Sequence, residues 1–188
     1  MGKLVMSNLV TLDGYFEGAQ PWDLAWHARA ADDVFMRHML EQLRTAEMLV
    51  FGRVTYEGMA KFWPTVSGEN EDDSACAELM NSLPKVVFSR TLTSAEWNNT
   101  TVMRDDACAA VAELKRKTPG NILISGSAEL SHALTEAGLF DEYRIAVVST
   151  VLGSGRPLFR TGMDALQLKL IDTWQLNPAC TVLRYVPA

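Results

Sequence analysis

The sequence has few cysteines, no long apolar run and a shortage of positive charge, and each of these excludes a class of protein. Its cysteines, Cys76, Cys108 and Cys180, lie far apart without a CxxC or Cys/His pair, so neither a disulfide framework nor a zinc site is expected. No apolar segment approaches the roughly 20 residues that a membrane-spanning helix requires. Lys and Arg number 17 against 23 Asp and Glu, and this net charge of -6 argues against general binding of nucleic acid or anionic membranes.

The remaining composition is that of a compact folded chain. With 188 residues, 48% of them hydrophobic, and no internal repeat or long linker, we expect one domain spanning 1–188. The first ten residues contain one Lys, a short apolar run and no small-residue cleavage pattern, so we expect a soluble, cytoplasmic protein. Because the chain is acidic, any phosphate that it binds must meet a local concentration of positive groups.

The stretch FGRVTYEGM, from Phe51 to Met59, joins a short apolar strand to a helix at Gly52. A helix that begins there presents unpaired backbone N–H groups, and a glycine lets a ligand approach the backbone closely. Arg53 adds a guanidinium suited to phosphate oxygens, and Thr55 adds a hydroxyl in the first turn. The stretch therefore predicts a dinucleotide phosphate cradle. The alternative is an ordinary strand–turn–helix with a solvated Arg and a capping Thr.

Three other predicted strands also end next to polar side chains. The strand at 3–12 leads to Thr11 and Asp13, KVVF at 85–88 leads to Ser89 and Arg90, and NILI at 121–124 leads to Ser125, Gly126 and the predicted helix N-cap Ser127. If these strands and the one ending at Phe51 are parallel neighbours, the polar groups converge at the sheet edge where open α/β sheets bind ligands. Such an edge suits a diphosphate that carries an additional phosphate.

Helices and strands alternate through the first two thirds of the chain. Helices are predicted over 30–45, 56–62, 75–82, 107–117 and from Ser127 to Gly138, and further strands over 101–103 and 142–149. SGENEDDS at 67–74 is interpreted as an acidic surface loop, and two runs, 168–174 and 181–185, indicate an antiparallel hairpin around Asn177-Pro178. We therefore predict an α/β fold with a mostly parallel mixed central sheet and an antiparallel C-terminal hairpin.

Five short motifs occur in an order and spacing typical of one superfamily. They are TLDG at 11–14, GRVTYE at 52–57, VFSR at 87–90, ISGSAEL at 124–130 and VLGSGRPLF at 151–159. Together they resemble the dihydrofolate reductase-like superfamily, and more closely the stand-alone proteins related to the C-terminal reductase domain of the bifunctional riboflavin-biosynthesis deaminase-reductase. The resemblance covers nearly the whole chain and implies the three-layer dihydrofolate reductase-like fold.

The resemblance implies NADPH as the cofactor, in agreement with the charges and hydroxyls at the predicted sheet edge. By matching position, it assigns Gly52, Arg53 and Thr55 to the cofactor phosphates, Ser89 and Arg90 to the 2′-phosphorylated adenosine, and Gly126 with Ser127 to the pyrophosphate. Thr11 and Ser125 border the same positions and are included among the cofactor-binding candidates. No metal is expected.

On the substrate side, the riboflavin reductases carry a Lys where this chain has Ser7. Dihydrofolate reductases place an acid of the first helix against the pterin ring, and Asp23 is the nearest counterpart here. Asp32 and Asp33 compete for this role, although a helix-cap role explains them better. We name Asp13 and Asp23 as candidate catalytic residues that bind the substrate or relay a proton through water.

The segment around Asp23 has little periodicity and contains two tryptophans. Trp22 and Trp26 lie either over the mouth of a site or over the core. Each of the three histidines, His27, His38 and His132, is expected to be structural.

Two functions are consistent with these residues. The first is an NADPH-dependent reductase that transfers a hydride to a small heterocyclic substrate, pterin- or aminopyrimidine-like, or to a carbonyl compound. The alternative is a non-catalytic NADPH-binding sensor, and a plain oligomeric scaffold is a weaker third. The family commonly pairs through its sheet edge or C-terminal hairpin, so the resemblance also implies a homodimer, for which residues 168–183 have the apolar content.

Overall fold

The computed structural model describes residues 1–68 and 70–188. The strands are β1 (Leu4–Thr11), β2 (Tyr15–Glu17), β3 (Ala46–Gly52), β4 (Lys85–Phe88), β5 (Thr100–Met103), β6 (Asn121–Ile124), β7 (Glu142–Val148), β8 (Arg156–Pro157), β9 (Leu168–Asn177) and β10 (Cys180–Pro187). The helices are α1 (Asp33–Arg44), α2 (Arg53–Phe62), α3 (Glu71–Ser82), α4 (Ala107–Lys117) and α5 (Ala128–Glu136), and short 3₁₀ helices occupy Ala25–Arg29 and Trp63–Thr65.

The central sheet has eight strands in the order β5-β4-β3-β6-β1-β7-β10-β9. Neighbouring strands from β5 to β7 run parallel, whereas β10 is antiparallel to both β7 and β9. The mostly parallel sheet and its antiparallel C-terminal hairpin are therefore confirmed. The strands that end at Thr11, Gly52, Phe88 and Ile124 are consecutive in the sheet, so their carboxyl ends meet at one edge.

Helices cover both faces of this sheet. On one face α1, α2 and α3 pack over a core that includes Val5 and Phe51, and on the other α4 and α5 pack over a core that includes Leu4 and Met6. Because successive side chains of a strand point to opposite faces, a strand buried on both faces must be apolar at nearly every position. This explains why the central strands are short, continuous apolar runs.

The acidic segment at 67–74 is only partly the loop that its charge predicts. Residue 69 lies outside the described residues, but α3 begins at Glu71, with Asn70 as N-cap accepting a hydrogen bond from Asp73 N at 2.9 Å. Three acidic residues therefore occupy the first turn of α3, where the helix dipole stabilises negative charge. The loop prediction was wrong there because a run of charge also fits the start of a helix.

A small ribbon beside the main sheet was not predicted. β2 pairs antiparallel with β8, and Leu158 N donates to Gly14 O at 3.1 Å. The ribbon joins the TLDG turn to the Gly-rich segment at 151–159. Strands of two and three residues have too few positions to show a periodic pattern.

Glu142, at the start of β7, forms the centre of a buried charge cluster. Its side chain is 2% exposed and accepts hydrogen bonds at 2.6 Å from the Nε atoms of both Arg144 and Arg184. Burial opposes ionisation, but the hydrogen bonds from the two guanidinium groups hold the pKa of Glu142 below its usual value.

In residues 1–68 and 70–188, no helix is both long and apolar enough to cross a membrane.

Candidate functional site

The predicted site residues gather at the carboxyl edge of the parallel strands. In the sheet register Gly52 of β3 lies beside Phe88 of β4, and Val50 of β3 lies beside Ile124 of β6. The segments that follow these strands, 52–55, 89–90 and 125–127, are consequently neighbours. The convergence predicted from the strand pattern is therefore present in the fold.

Ser127 ties two of these segments together. Its hydroxyl oxygen accepts a hydrogen bond from Gly52 N at 2.7 Å, and its own backbone N–H donates to Thr55 Oγ1 at 2.8 Å. Both side chains are buried. We call this arrangement of Gly52, Thr55 and Ser127 the clasp. Ser127 does stand at the N-cap position of α5, but its hydroxyl binds β3 rather than capping its own helix, which corrects the predicted capping role.

Gly126 lies against the clasp in a conformation that favours glycine. Its φ is +76°, and the following Ser127 is also left-handed, with φ +61°. A Cβ at position 126 would lie 2.9 Å from Thr55 Cγ2 and 3.5 Å from Phe16 Cζ. The absent side chain thus lets Thr55 and Phe16 pack directly against the turn, at the surface where the two strand–helix segments meet.

Two helices begin at this surface. α2 follows Gly52 and α5 follows Ser127, and across the described residues neither N-terminus receives a side-chain capping hydrogen bond. The first N–H groups of a helix have no partner within the helix, and together with the helix dipole they favour an anion. The clasp therefore holds two anion-attracting helix starts side by side.

The two arginines of the site have different partners. Arg53 Nη1 lies 3.0 and 2.9 Å from the two carboxylate oxygens of Glu57, one turn further along α2. Arg90 is exposed at the end of β4 and has no ion-pair partner in the part of the chain that the structure describes. The Ser89 hydroxyl accepts from the backbone N–H groups of Thr91 and Leu92, at 3.2 and 2.9 Å, so it shapes the turn that presents Arg90.

Thr11 and Asp13 form a separate hydrogen-bonded unit at the end of β1. The Thr11 hydroxyl donates to Asp13 Oδ1 at 2.6 Å, and the Asp13 carboxylate also accepts from Leu152 N and Gly153 N, at 3.1 and 2.7 Å. The Thr11 hydroxyl, followed by the backbone donors at Gly153 and Leu152, lowers the pKa of Asp13 despite opposing desolvation. Asp13 is therefore ionised at neutral pH and anchors the Gly-rich segment.

Asp23 lies on a short strap, residues 18–24, that reaches α2. Trp22 N donates to Glu17 Oε1 at 2.5 Å, and the Trp22 indole occupies the space where a side chain at Gly58 would lie. The Asp23 side chain is exposed and its carboxylate contacts Gly18. Of the two tryptophans, Trp22 thus covers α2 at the surface.

Trp26 and Asp32 have structural roles. Trp26 is 6% exposed and belongs to a core cluster against β7 and β10. Asp32 caps α1 by accepting from Phe35 N at 2.8 Å, as the helix-cap interpretation predicted. His27 follows Trp26 in the chain, and burial lowers the pKa of its imidazole to about 4. The imidazole is therefore uncharged at neutral pH.

Asn8 is a polar residue of the site that the sequence did not indicate. It lies within β1, is 4% exposed, and its Oδ1 accepts from Gly126 N at 2.6 Å. An asparagine inside a predicted strand carries no local signal of such a contact, because its partner is 118 residues away in the sequence.

Comparison with known proteins agrees with this fold. Residues 2–182 match the family model described as the RibD C-terminal domain. The chain belongs to the RibD C-terminal domain family. The uncharacterized Bacillus subtilis protein YyaP is 30% identical over 174 residues, which cover 91% of this chain and 87% of YyaP.

Solved structures show that the fold of this family member is of the dihydrofolate reductase-like class. RibD of Acinetobacter baumannii superposes with a TM-score of 0.73 at 18% identity, covering 100% of this chain and 58% of the longer RibD chain. The structure of Enterococcus faecalis dihydrofolate reductase complexed with NADP(H) superposes with a TM-score of 0.56 at 15% identity. The superposition covers 98% of this chain and 96% of that enzyme. The family and the fold are those of a reductase-like domain.

Proposed function

We propose that the protein is an NADPH-dependent reductase that transfers a hydride to a small heterocyclic substrate, pterin- or aminopyrimidine-like, or to a carbonyl compound. In this proposal it resembles 5-amino-6-(5-phosphoribosylamino)uracil reductase. The observation that carries the proposal is the clasp, which holds the starts of α2 and α5 side by side at an edge shared with Arg90. A dinucleotide offers the pyrophosphate and the additional phosphate that such an edge suits.

The residues present fit this cofactor. The open N-termini of α2 and α5 would hold the pyrophosphate, because backbone N–H groups and helix dipoles there favour negative charge. Gly126 supplies the left-handed conformation of the turn that precedes α5. Arg90 and Ser89 would take the 2′-phosphate, and Arg53 would share its charge between Glu57 and the phosphates. When bound, NADPH supplies the hydride.

The chain itself would contribute orientation and exclusion of water. Orientation of two reactants accounts for about 7 kcal/mol or more of a barrier when the geometry is good. The Trp22 strap would shield the reacting groups from solvent. Asp13, kept ionised by Thr11 and by backbone donors, would hold the Gly-rich segment in place. Asp23 is the candidate to bind the substrate or relay a proton through water.

The cofactor assignment is tested by titrating NADPH and NADH against the wild type, Arg90→Ala, Arg53→Ala and a control variant. A guanidinium hydrogen-bonded to phosphate contributes about 1.5–3 kcal/mol, so Arg90→Ala should weaken NADPH about 10- to 100-fold and NADH little. Arg53→Ala should weaken both, but less, because Glu57 already neutralises part of its charge. Arg116→Ala, an exposed arginine of α4, is the matched control. Unchanged NADPH affinity in both site variants would remove the assignment.

A non-catalytic NADPH-binding sensor is the second candidate. It is favoured by the hydrogen bonds of Asp13, whose carboxylate accepts from Thr11, Leu152 and Gly153 and so holds the Gly-rich segment. Turnover separates the two functions. The wild type is screened with NADPH against dihydrofolate, pterins, 5-amino-6-(5-phosphoribosylamino)uracil and simple carbonyl compounds. Oxidation of NADPH with any of them supports the reductase, and saturable binding with no turnover on all of them supports the sensor.

We also propose that the protein forms a homodimer. β9 is a ten-residue edge strand, and its side chains Leu170 and Ile171 are 48% and 43% exposed. A long edge strand with exposed apolar side chains readily pairs with another chain. Light scattering after gel filtration would show twice the 20.8 kDa chain mass for a dimer, and the mass of one chain would reject the proposal.

A further inference from the structure

Asn8 continues the contact between β1 and β6 beyond the end of their backbone pairing. The last paired residues of the two strands are Met6 and Ile124. Asn8 lies two residues after Met6, and Gly126 lies two residues after Ile124. Here a side-chain oxygen, Asn8 Oδ1, accepts from Gly126 N at 2.6 Å in place of a backbone carbonyl. A side-chain amide therefore fixes the first backbone donor of the left-handed turn at 126–127.

That turn needs support from outside itself. A serine in the left-handed region, as at Ser127, is uncommon and persists only where its surroundings hold it. Thr55 Oγ1 holds Ser127 N, and Ser131 Oγ donates to Gly126 O at 3.3 Å. Asn8 holds the remaining end of the turn, Gly126 N. Its contact comes from β1, a central strand of the sheet.

The orientation of the Asn8 amide shows which of its atoms matters. Because Gly126 N is a donor, the oxygen of the amide must face the turn. The amide nitrogen Nδ2 is buried and has no acceptor among residues 1–68 and 70–188. A leucine, which branches at the same carbon, would avoid this unpaired donor. What the asparagine supplies, and a leucine does not, is therefore the acceptor for Gly126.

We propose that Asn8 is a positioning residue for the pyrophosphate-binding turn. It acts through Gly126 and Ser127, and fixes the direction in which the first N–H groups of α5 face a bound dinucleotide. This inference rests on the proposed NADPH site. It predicts that removing the Asn8 acceptor weakens ligands that contain a pyrophosphate, and spares a ligand that occupies only the Arg90 end of the site.

The test compares Asn8→Leu with Asn8→Asp, which keeps an acceptor oxygen at the same place. Asn81→Leu on α3 is the matched control, since it also removes a hydrogen-bonded amide, but at a distance from the sheet edge. Dissociation constants are measured for NADPH, ADP-ribose and adenosine 2′-monophosphate, of which the last has no phosphate at the pyrophosphate position. Hydrogen exchange of the Gly126 amide is measured by NMR in the absence of ligand.

In Asn8→Leu, we expect NADPH and ADP-ribose to bind about tenfold more weakly, the effect of losing one hydrogen bond. Adenosine 2′-monophosphate should bind as in the wild type, and Asn81→Leu should leave all three constants unchanged. Exchange of the Gly126 amide should speed up about tenfold in Asn8→Leu and remain slow in Asn8→Asp.

Three results would overturn the inference. They are unchanged Gly126 exchange in Asn8→Leu, unchanged affinity for the pyrophosphate ligands, and an equal loss for all three ligands, which would indicate a general effect on folding. If the wild type binds none of the ligands, it is the proposed function that fails. The exchange measurement still decides whether Asn8 positions the turn.

Discussion

Replacing Thr55 by valine tests the clasp with the smallest change of shape. The two side chains are nearly isosteric, but valine lacks the oxygen that accepts from Ser127 N at 2.8 Å. This N–H is buried, so the substitution leaves an unpaired donor that costs about 1–3 kcal/mol. For a chain of this size, each kcal/mol lowers the melting temperature by about 2–4 °C, so we expect a fall of about 2–12 °C.

Ser127→Ala provides the second arm of the same experiment. It removes the acceptor for Gly52 N and should cost a similar amount, about 1–3 kcal/mol. Because Ser127 takes part in both hydrogen bonds, losing either loosens the other. The double variant should therefore lose less than the sum of the two single losses, with a coupling of about 0.5–3 kcal/mol.

Urea unfolding followed by circular dichroism measures these free energies. Thr101→Val, on the exposed face of edge strand β5, is the control and should stay within about 0.5 kcal/mol of the wild type. If Thr55→Val also stays within about 0.5 kcal/mol, the N–H of Ser127 is not held by Thr55 and the clasp is refuted. Additive losses in the double variant would mean that the two hydrogen bonds act independently.

Three further outcomes are expected. In the folded state the pKa of His27 is about 4, so protonation of its imidazole favours the unfolded chain. The free energy of unfolding should therefore fall by as much as about 3 kcal/mol as the pH drops from about 6.5 to 4. In urea unfolding at a series of pH values, His27→Gln should lose most of this pH dependence. Glu142→Gln leaves two guanidinium groups without their shared carboxylate and should cost about 3 kcal/mol in urea unfolding; a loss under about 1 kcal/mol would contradict the buried cluster. Gly58→Ala should displace the Trp22 indole and increase acrylamide quenching of tryptophan fluorescence, and a Trp22→Phe background should abolish this increase.

The sequence predicted those parts of the site that depend on short segments. The junction at Gly52 was recognisable because a brief apolar strand, a glycine and a helix follow one another directly. The placement of Arg90 and Gly126 beside it followed from the rule that parallel strands end at one edge. These predictions needed only the order of strands and helices.

Contacts between distant segments were not predictable in the same way. The Ser127 hydroxyl binds Gly52 N, 75 residues away, and this partner overrides the local preference of serine to cap its own helix. Asn8 looks like a poor strand residue until Gly126 is placed beside it. At Glu71, the same acidic residues that suggest a loop stabilise the start of α3. At Ser127 and Asn8 a tertiary contact decided between two locally acceptable structures, and at Glu71 the helix dipole decided.

The central claim is that the starts of α2 and α5 bind one phosphorylated dinucleotide together. The most direct measurement is an NMR titration of the wild type with NADPH, following the backbone N–H signals of Arg53 to Thr55 and of Ala128 to Leu130. Both groups of signals should move, and both should give the same dissociation constant. Movement of only one group, or of neither while NADPH binds elsewhere, would contradict the account.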